Sequence, residues 1–270
     1  MKLENRVFVV SGGGNGLGRE LVLKLISSGG RVAAVDIDQA GLDETEKLLG
    51  EDSDQLSKHI VDITDRDAVS ALPALVIDKH GKVDAVINNA GVIQPFIKIK
   101  DMGYQDIERV MNINFFGAVN MTKAFLPNLF ERPEAYIVNI SSMGGFLPVP
   151  GQGIYGASKA ALKLFTEALY AELSNTDIRV MVVFPGGMQT DIAARSGAVI
   201  NMDRVDQGGN AFLKPMSPKE AANIIVAGIE KERFRIVVGT DSKFMNVLYR
   251  LSPKFATNFI AKQMESLLEG

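Results

Sequence analysis

The sequence predicts an α/β fold, a seven-stranded parallel sheet with helices on both faces, and three observations carry that expectation. Short β-rich runs alternate with stretches of helical period along most of the 270 residues. A glycine-rich turn stands directly after the first run and before the first helical stretch. No Pro/Gly/Ser linker, charge block or internal repeat divides the chain, and 46% of it is hydrophobic, enough for one substantial core.

Arg6 to Val10 is the first expected strand, and Leu17 to Ser28 the helix that follows it. Arg31 to Val35 and Ser57 to Val61 are the next two strands, followed by helices over Leu42 to Leu49 and Arg66 to Lys79. Pro73 lacks an amide hydrogen, so a kink or a late start is expected in the last of these. Ala85 to Ile87 precedes a long helix from Tyr104 to Phe130, and Ala135 to Ile140 precedes another from Tyr155 to Leu173. Ala160, Ala161, Ala168 and Ala171 would let a neighbour approach that second helix closely. Arg179 to Val183 is the sixth strand; the aperiodic segment of about 191–215 after it is expected to be a substrate lid. Ser217-Pro218-Lys219-Glu220 reads as a capping box with proline in the first helical position. Arg235 to Val238 closes the sheet, and a helical extension of about 241–270 completes a single domain, 1–270.

Composition excludes several classes. There is no cysteine, so disulfides, thiolate nucleophiles and Cys-ligated zinc are ruled out, and no metal site is expected. His59 and His80 lie near strand and helix ends, where surface or structural roles are expected. A formal net charge of -3 with interspersed signs argues against a nucleic-acid partner. No apolar run approaches a spanning length and no signal-peptide pattern is seen, so a cytoplasmic protein is expected.

The turn Ser11-Gly12-Gly13-Gly14-Asn15-Gly16-Leu17-Gly18 lets backbone amides reach a pyrophosphate at a helix N-terminus. With its place between strand and helix, it makes the fold Rossmann-type and makes Gly12, Asn15, Gly16, Leu17 and Gly18 candidate dinucleotide contacts. Asp36 ends the second strand, where a carboxylate accepts ribose hydroxyls and repels a 2'-phosphate. Asn15 and Ile37 beside it supply no cation, so NAD is expected over NADP. Asp62 and Ile63 after the third strand are placed to meet the adenine, although Asp62 is equally plausible as a turn or helix-entry residue. Asn88-Asn89-Ala90-Gly91 ends the fourth strand in small residues that leave room for a ligand across the sheet edge.

Tyr155 and Lys159 lie one helical turn apart and share a face. A phenol needs roughly 4 kcal/mol of help to serve as a base near neutrality, and the Lys159 ammonium is expected to supply part of it. Ser142, thirteen residues before the tyrosine, offers a hydroxyl to a substrate oxygen.

Taken together in order, the glycine turn, Asn88-Asn89-Ala90-Gly91, Asn114, Ser142, Tyr155 with Lys159, and Pro185-Gly186 resemble the classical short-chain dehydrogenase/reductase family over roughly the first 240 residues. The resemblance implies Tyr155 as general acid/base and Lys159 as both pKa-lowering cation and binder of the nicotinamide ribose. It implies Ser142 rather than Ser141 as the catalytic serine, and Asn114 rather than Asn112 as the holder of a water linking Lys159 to solvent. Asn89, Ala90 and Gly91 join the cofactor wall, with Pro185, Gly186, Met188 and Thr190 near the carboxamide. Ser11 stands where the family more often has threonine, which keeps the hydroxyl. The activity so implied is an NAD(H)-dependent interconversion of a secondary alcohol and a ketone. The alternatives are an NADP-dependent ketoacyl-type reductase and a non-catalytic NAD(H)-sensing regulator.

Gln94, Met143, Gln152 and Gly187, with Ser142 and Tyr155, are expected to bind a largely apolar alcohol or ketone; Phe96, Phe146 and Val149 would add to the wall. Arg195 or Arg204 in the lid could meet an anion. In the tail, Phe244, Val247, Leu248, Leu251, Phe255, Phe259, Ile260, Met264 and Leu267 recur at helical spacing. Packing onto its own domain or a sister subunit is favoured there over a pocket cover or a peripheral membrane contact. The family resemblance also implies a homodimer or homotetramer pairing through the two long helices.

Overall fold

A computed structural model describes residues 2–190, 192–196 and 215–264. Seven strands, β1 (Val7–Ser11), β2 (Arg31–Asp36), β3 (Leu56–Ile60), β4 (Ala85–Asn88), β5 (Ala135–Ile140), β6 (Ile178–Pro185) and β7 (Arg235–Val238), form one sheet in the order β3-β2-β1-β4-β5-β6-β7. Every pairing is parallel. The order reverses direction between β1 and β4, which opens a crevice beyond the carboxyl ends of those strands, and the glycine turn sits in it.

The pleat sends alternate residues of β1 into two different cores. Phe8 and Val10 face Leu21 and Leu25 of α1 (Gly16–Ser27) and Ile225 and Ile229 of α8 (Pro218–Glu230). Val7 and Val9 face Val69 and Leu72 of α3 (Arg66–His80), Phe125 and Leu129 of α5 (Ala118–Phe130) and Leu169 of α6 (Gly153–Glu172). On the first of these faces α2 (Gln39–Leu49) is entered by Asp38, whose carboxylate accepts from Gly41 N at 3.1 Å. The expected capping box opens α8: Ser217 Oγ accepts from Glu220 N at 3.2 Å and Glu220 Oε2 from Ser217 N at 3.2 Å.

Three expectations are corrected. The helix around Pro73 has no late start, because Asp65 caps it through Asp67 N and Ala68 N and the chain stays helical from Arg66 to His80 with Pro73 buried. The long helix of 104–130 is interrupted: α4 (Tyr104–Met111) passes into a π-helical segment, Asn112–Gly117, before α5. A Cβ on Gly117 would lie 2.7 Å from Ile63 Cγ1, so a larger residue there would require the Ile63 side chain to move. The tail forms α9 (Thr240–Leu251) and α10 (Pro253–Gln263), but its apolar stripe is split. Met245, Ala256 and Ile260 pack on Leu147, with Met143, Phe146 and Leu248 around them, whereas Val247, Leu251, Phe255 and Phe259 face outward. Asp241 and Ser242 set that choice by bonding Gly187 N (2.7 Å) and Phe184 O (3.1 Å) at the end of β6. Leu267 lies outside the described residues. Among the described residues no helix is long and apolar enough to cross a membrane.

Candidate functional site

The glycine turn is built for close backbone approach. Gly12 and Gly16 take positive φ (+70° and +51°), where a side chain would strain the backbone. A Cβ on Gly12 would lie 2.9 Å from Asn89 Nδ2, and one on Gly18 would lie 2.6 Å from the same atom and run into the carbonyl of Gly12. Ser11 Oγ accepts from Asn89 N and Ala90 N, both at 3.1 Å, which ties the ends of β1 and β4 together. Asn15 makes no side-chain cap and the first turn of α1 has no acidic residue, so its amides face the crevice.

Asp36 is held firmly. Its Oδ2 accepts from Gly14 N at 2.9 Å and its Oδ1 from Asp38 N at 3.1 Å, leaving one lone pair on each oxygen for a further donor. Asp62 turns the chain, accepting from Thr64 N and Thr64 Oγ1 at 2.8 Å each, and still reaches the cleft wall.

At the other end of the cleft Ser142, Tyr155 and Lys159 meet. A Cβ on Gly144 would lie 3.4 Å from Tyr155 Cε1 and 3.5 Å from Ser142 Oγ; one on Gly91 would lie 3.1 Å from Lys159 Nζ and 3.2 Å from Asn114 Oδ1. Ser142 Oγ accepts from Gly144 N at 3.0 Å, while Ser141 Oγ is spent on Lys159 O at 2.8 Å. Lys159 Nζ donates to Ile140 O at 2.9 Å. Asn114, in the π-helical segment, accepts from Val92 N (2.8 Å) and donates to Val92 O (2.9 Å) and Ser158 Oγ (3.0 Å). Its side chain therefore fixes the loop after β4 with both amide hydrogens in use.

The electrostatics differ from the simple expectation of a phenol lowered by its lysine. Burial pushes the Tyr155 phenol up, and the Ser142 hydroxyl is what pulls it back. Burial also brings the Lys159 ammonium down to about 8.

These groups line one cleft of about 450 Å³. Gly12, Asn15, Gly16, Leu17, Asp36, Ile37, Asp62, Ile63, Asn89, Ala90, Gly91, Pro185, Gly186, Met188 and Thr190 lie on its wall with Ser142, Tyr155 and Lys159. Gly18 and Asn114 lie behind the wall. The expected substrate residues Gln94, Met143, Gln152 and Gly187 are not on it. Gln94 and Gln152 are buried against each other, Met143 packs toward the tail helices, and Gly187 is bonded through its amide to Asp241. Sequence reading placed them by proximity to motifs, which does not report which way a side chain turns.

Among the further residues of the wall are Asp38 and Ser196, which the sequence did not single out, and Arg195, expected as a cation that could meet an anion. Arg195 belongs to a short helix, α7 (Ile192–Arg195), and the anion it meets is Asp38, with Nη1 to Oδ2 at 2.8 Å. That pairing, with bonds from Gly41 N and Asn15, holds Asp38 down at about 2. Ser196 Oγ accepts from Ile93 N at 3.0 Å and Ser196 O accepts from Arg109 at 3.1 Å. Asp38 and Arg195 are 157 positions apart, so no spacing signals them. Arg204 and most of the expected lid lie outside the described residues. Among the described residues no cluster of potential metal ligands occurs. His59 and His80 share the Ser57 hydroxyl at 2.8 Å each, away from the cleft.

The residues fit a dinucleotide on two independent grounds: a glycine cradle that side chains would fill, and uncapped helix amides facing it across from a fixed carboxylate.

A family model described as short chain dehydrogenase matches residues 6–200. The chain is 37% identical over 253 residues to the putative oxidoreductase SadH of Mycobacterium tuberculosis, covering 92% of this chain and 91% of the relative. It is 32% identical over 199 residues to the 3-oxoacyl-[acyl-carrier-protein] reductase FabG of Thermotoga maritima, covering 72% and 79% of the two chains. Among solved structures, a short chain dehydrogenase/reductase from Burkholderia phymatum in complex with NAD superposes with a TM-score of 0.83 at 26% identity, over 94% of this chain and 95% of that one. A short chain dehydrogenase from Mycobacterium paratuberculosis bound to NAD gives 0.78 at 28% identity, over 90% and 99%.

Proposed function

This chain belongs to the short-chain dehydrogenase/reductase family and is an oxidoreductase, and from that premise we propose that it interconverts a secondary alcohol and a ketone with NAD(H). The observation that supports this reading most is the convergence of Ser142, Tyr155 and Lys159 on the wall of the same cleft as the glycine turn and Asp36. NAD is preferred because Asp36 is anchored by two amides and faces a ribose with a fixed negative charge. The NAD named for two structures of similar fold agrees with it.

A bound nicotinamide would supply the hydride chemistry, as acceptor for the carbinol carbon in oxidation and as donor to the carbonyl carbon in reduction. The residues of the chain handle the proton and the geometry. Ser142 Oγ donates to the substrate oxygen and fixes it beside Tyr155. Tyr155 Oη takes the alcohol proton in oxidation and delivers it to the nascent alkoxide in reduction. Lys159 would hold the nicotinamide ribose, and once a phenolate forms its ammonium would favour that anion. Asn114 keeps Val92, and with it the floor beneath Lys159, in place. Asp36 would hold the adenosine ribose, Asp62 and Ile63 would flank the adenine, and Met188 and Thr190 would meet the carboxamide. In this reading residues 1–270 are one domain with a tail that packs on the chain's own 143–147 loop; the lid expected at about 191–215 lies mostly outside the described residues. The exposed Phe116, Leu164 and Tyr170 on the two long helices are where a second copy would pair.

The likeness to a 3-oxoacyl-[acyl-carrier-protein] reductase favours one second reading, a reductase of ketoacyl-type substrates. A panel of secondary alcohols and ketones, including sterol, sugar and hydroxyacyl types, followed by NADH absorbance, tests both. Turnover of at least one alcohol, lost in Ser142→Ala, is expected. Tight NADH binding with no turnover of any member would instead indicate a regulator that only senses the cofactor.

A further inference from the structure

We propose that Gln94 is a positioning residue for Tyr155, acting as a remote, uncharged cap on the helix that carries it. The proposal rests on the reading of Tyr155 as proton carrier. The first amides of any helix lack intrahelical partners, and usually the residue just before the helix bonds them with its own side chain. In α6 that residue, Gln152, makes no such bond. Its Nε2 turns away and donates to the backbone oxygen of Gln94 at 2.8 Å.

Gln94 supplies the missing acceptor from a different segment of the chain. Its Oε1 accepts from Ile154 N at 2.8 Å and from Tyr155 N at 3.0 Å, and its Nε2 donates to Gly151 O at 2.8 Å. The residue is 0% exposed, so no solvent molecule stands in for any of these bonds. The peptide gripped is that of Tyr155 itself, which fixes the start of its side chain against the loop after β4. Within that loop Val92 is bonded to Asn114 and Ile93 to Ser196 Oγ. Three consecutive residues thus register Asn114, the end of the short helix α7 at Ser196 and the Tyr155 helix to one another.

The chemistry of the cap matters as much as its place. An aspartate or glutamate would satisfy the same amides, but would set a negative charge beside a phenol that must itself become an anion, in a wall where burial already opposes ionisation. A carboxamide satisfies the donors without that charge. A displacement of about 1 Å at a reacting group can reduce turnover about 100-fold, so loosening this cap acts on rate.

Two variants separate positioning from mere stability, with Tyr155 carrying ¹³C at Cζ and its resonance assigned by its loss in Tyr155→Phe. Gln94→Leu removes the acceptor. Its expected effect is a kcat about 10 to 100-fold lower on the best alcohol of the panel, measured well below its unfolding temperature, with NADH affinity within about threefold of the parent. Gln94→Glu keeps the acceptor oxygen for both amides and adds the charge, while giving up the Nε2 bond to Gly151 O. Its expected effect is turnover well above that of Gln94→Leu at alkaline pH, a pH profile displaced upward, and a Tyr155 titration midpoint displaced in the same direction. A folded Gln94→Leu with turnover within twofold of the parent overturns the proposal, as does a Tyr155 titration unmoved in Gln94→Glu. Should Gln94→Leu not fold, the titration in Gln94→Glu decides alone. Full turnover in Tyr155→Phe would instead remove the reading of Tyr155 on which the proposal rests.

Discussion

Replacing Asp36 by asparagine changes one charge at the ribose end of the cleft, and its effect on cofactor choice follows from how the carboxylate is held. Gly14 N and Asp38 N each bond one oxygen, so the group cannot swing away from a 2'-phosphate. A phosphate carrying two charges about 5 Å from this one, at an effective dielectric of roughly 40 to 80, is repelled by about 2–3 kcal/mol. That corresponds to a preference for NADH over NADPH of roughly 30 to 150-fold. Asparagine removes the repulsion and weakens the ribose bonds. It also offers only one oxygen to two amide donors, so either Gly14 N or Asp38 N loses its partner, at about 1 kcal/mol in this half-buried place. NADH affinity is therefore expected to fall about fivefold while NADPH affinity rises, collapsing the preference to within a few-fold. Fluorescence titration of both cofactors on parent and variant measures it. A parent that binds NADPH as tightly as NADH, or a preference unchanged in Asp36→Asn, refutes the reasoning.

Other consequences can be checked in parallel. Gly18→Ala drives a methyl into the backbone carbonyl of Gly12, which cannot yield as a side chain would, so NADH binding should weaken more than tenfold with a loss of about 1–3 kcal/mol in urea unfolding. His80 is held at about 4 against an ordinary 6.5, chiefly by burial, so the unfolded chain takes up a proton that the folded chain refuses between those values. Its contribution is present above pH 6.5 and is lost as pH falls toward 4, by up to about 3 kcal/mol; His80→Gln should flatten that part of the stability profile between pH 7.5 and 4.5. The Arg195–Asp38 pair is half-exposed, so Arg195→Ala should change stability by less than about 1 kcal/mol. It should nevertheless speed NADH release several-fold in stopped-flow, because the pair bridges the cleft wall; an unchanged rate would contradict that role.

How much could be read beforehand depended on the range of the interaction. The glycine turn, Asp36 and the Tyr155–Lys159 pair were legible because each is local: a strand-turn-helix spacing, a strand end, one helical turn. Alternation of strands and helices made the parallel sheet legible but not its strand order, which the folded chain shows. The π-helical segment around Asn114 was not legible, since a turn widened by one residue uses the same residue types as an α-helix. The capping role of Gln94 was hidden for a related reason. Its proximity to Asn88-Asn89-Ala90-Gly91 suggested the pocket, and only the folded chain reveals that it turns 60 positions ahead to cap α6. The outward half of the tail stripe was equally hidden, because Asp241 and Ser242, two polar residues, choose which side packs.

The central claim is that Tyr155 moves the proton while the rest of the cleft holds the cofactor. Tyr155→Phe, which keeps the ring and removes only the hydroxyl, tests it when turnover and NADH binding are measured on the same preparation. The account predicts turnover reduced at least about 100-fold with NADH affinity within about threefold of the parent. Turnover within a few-fold of the parent would contradict it.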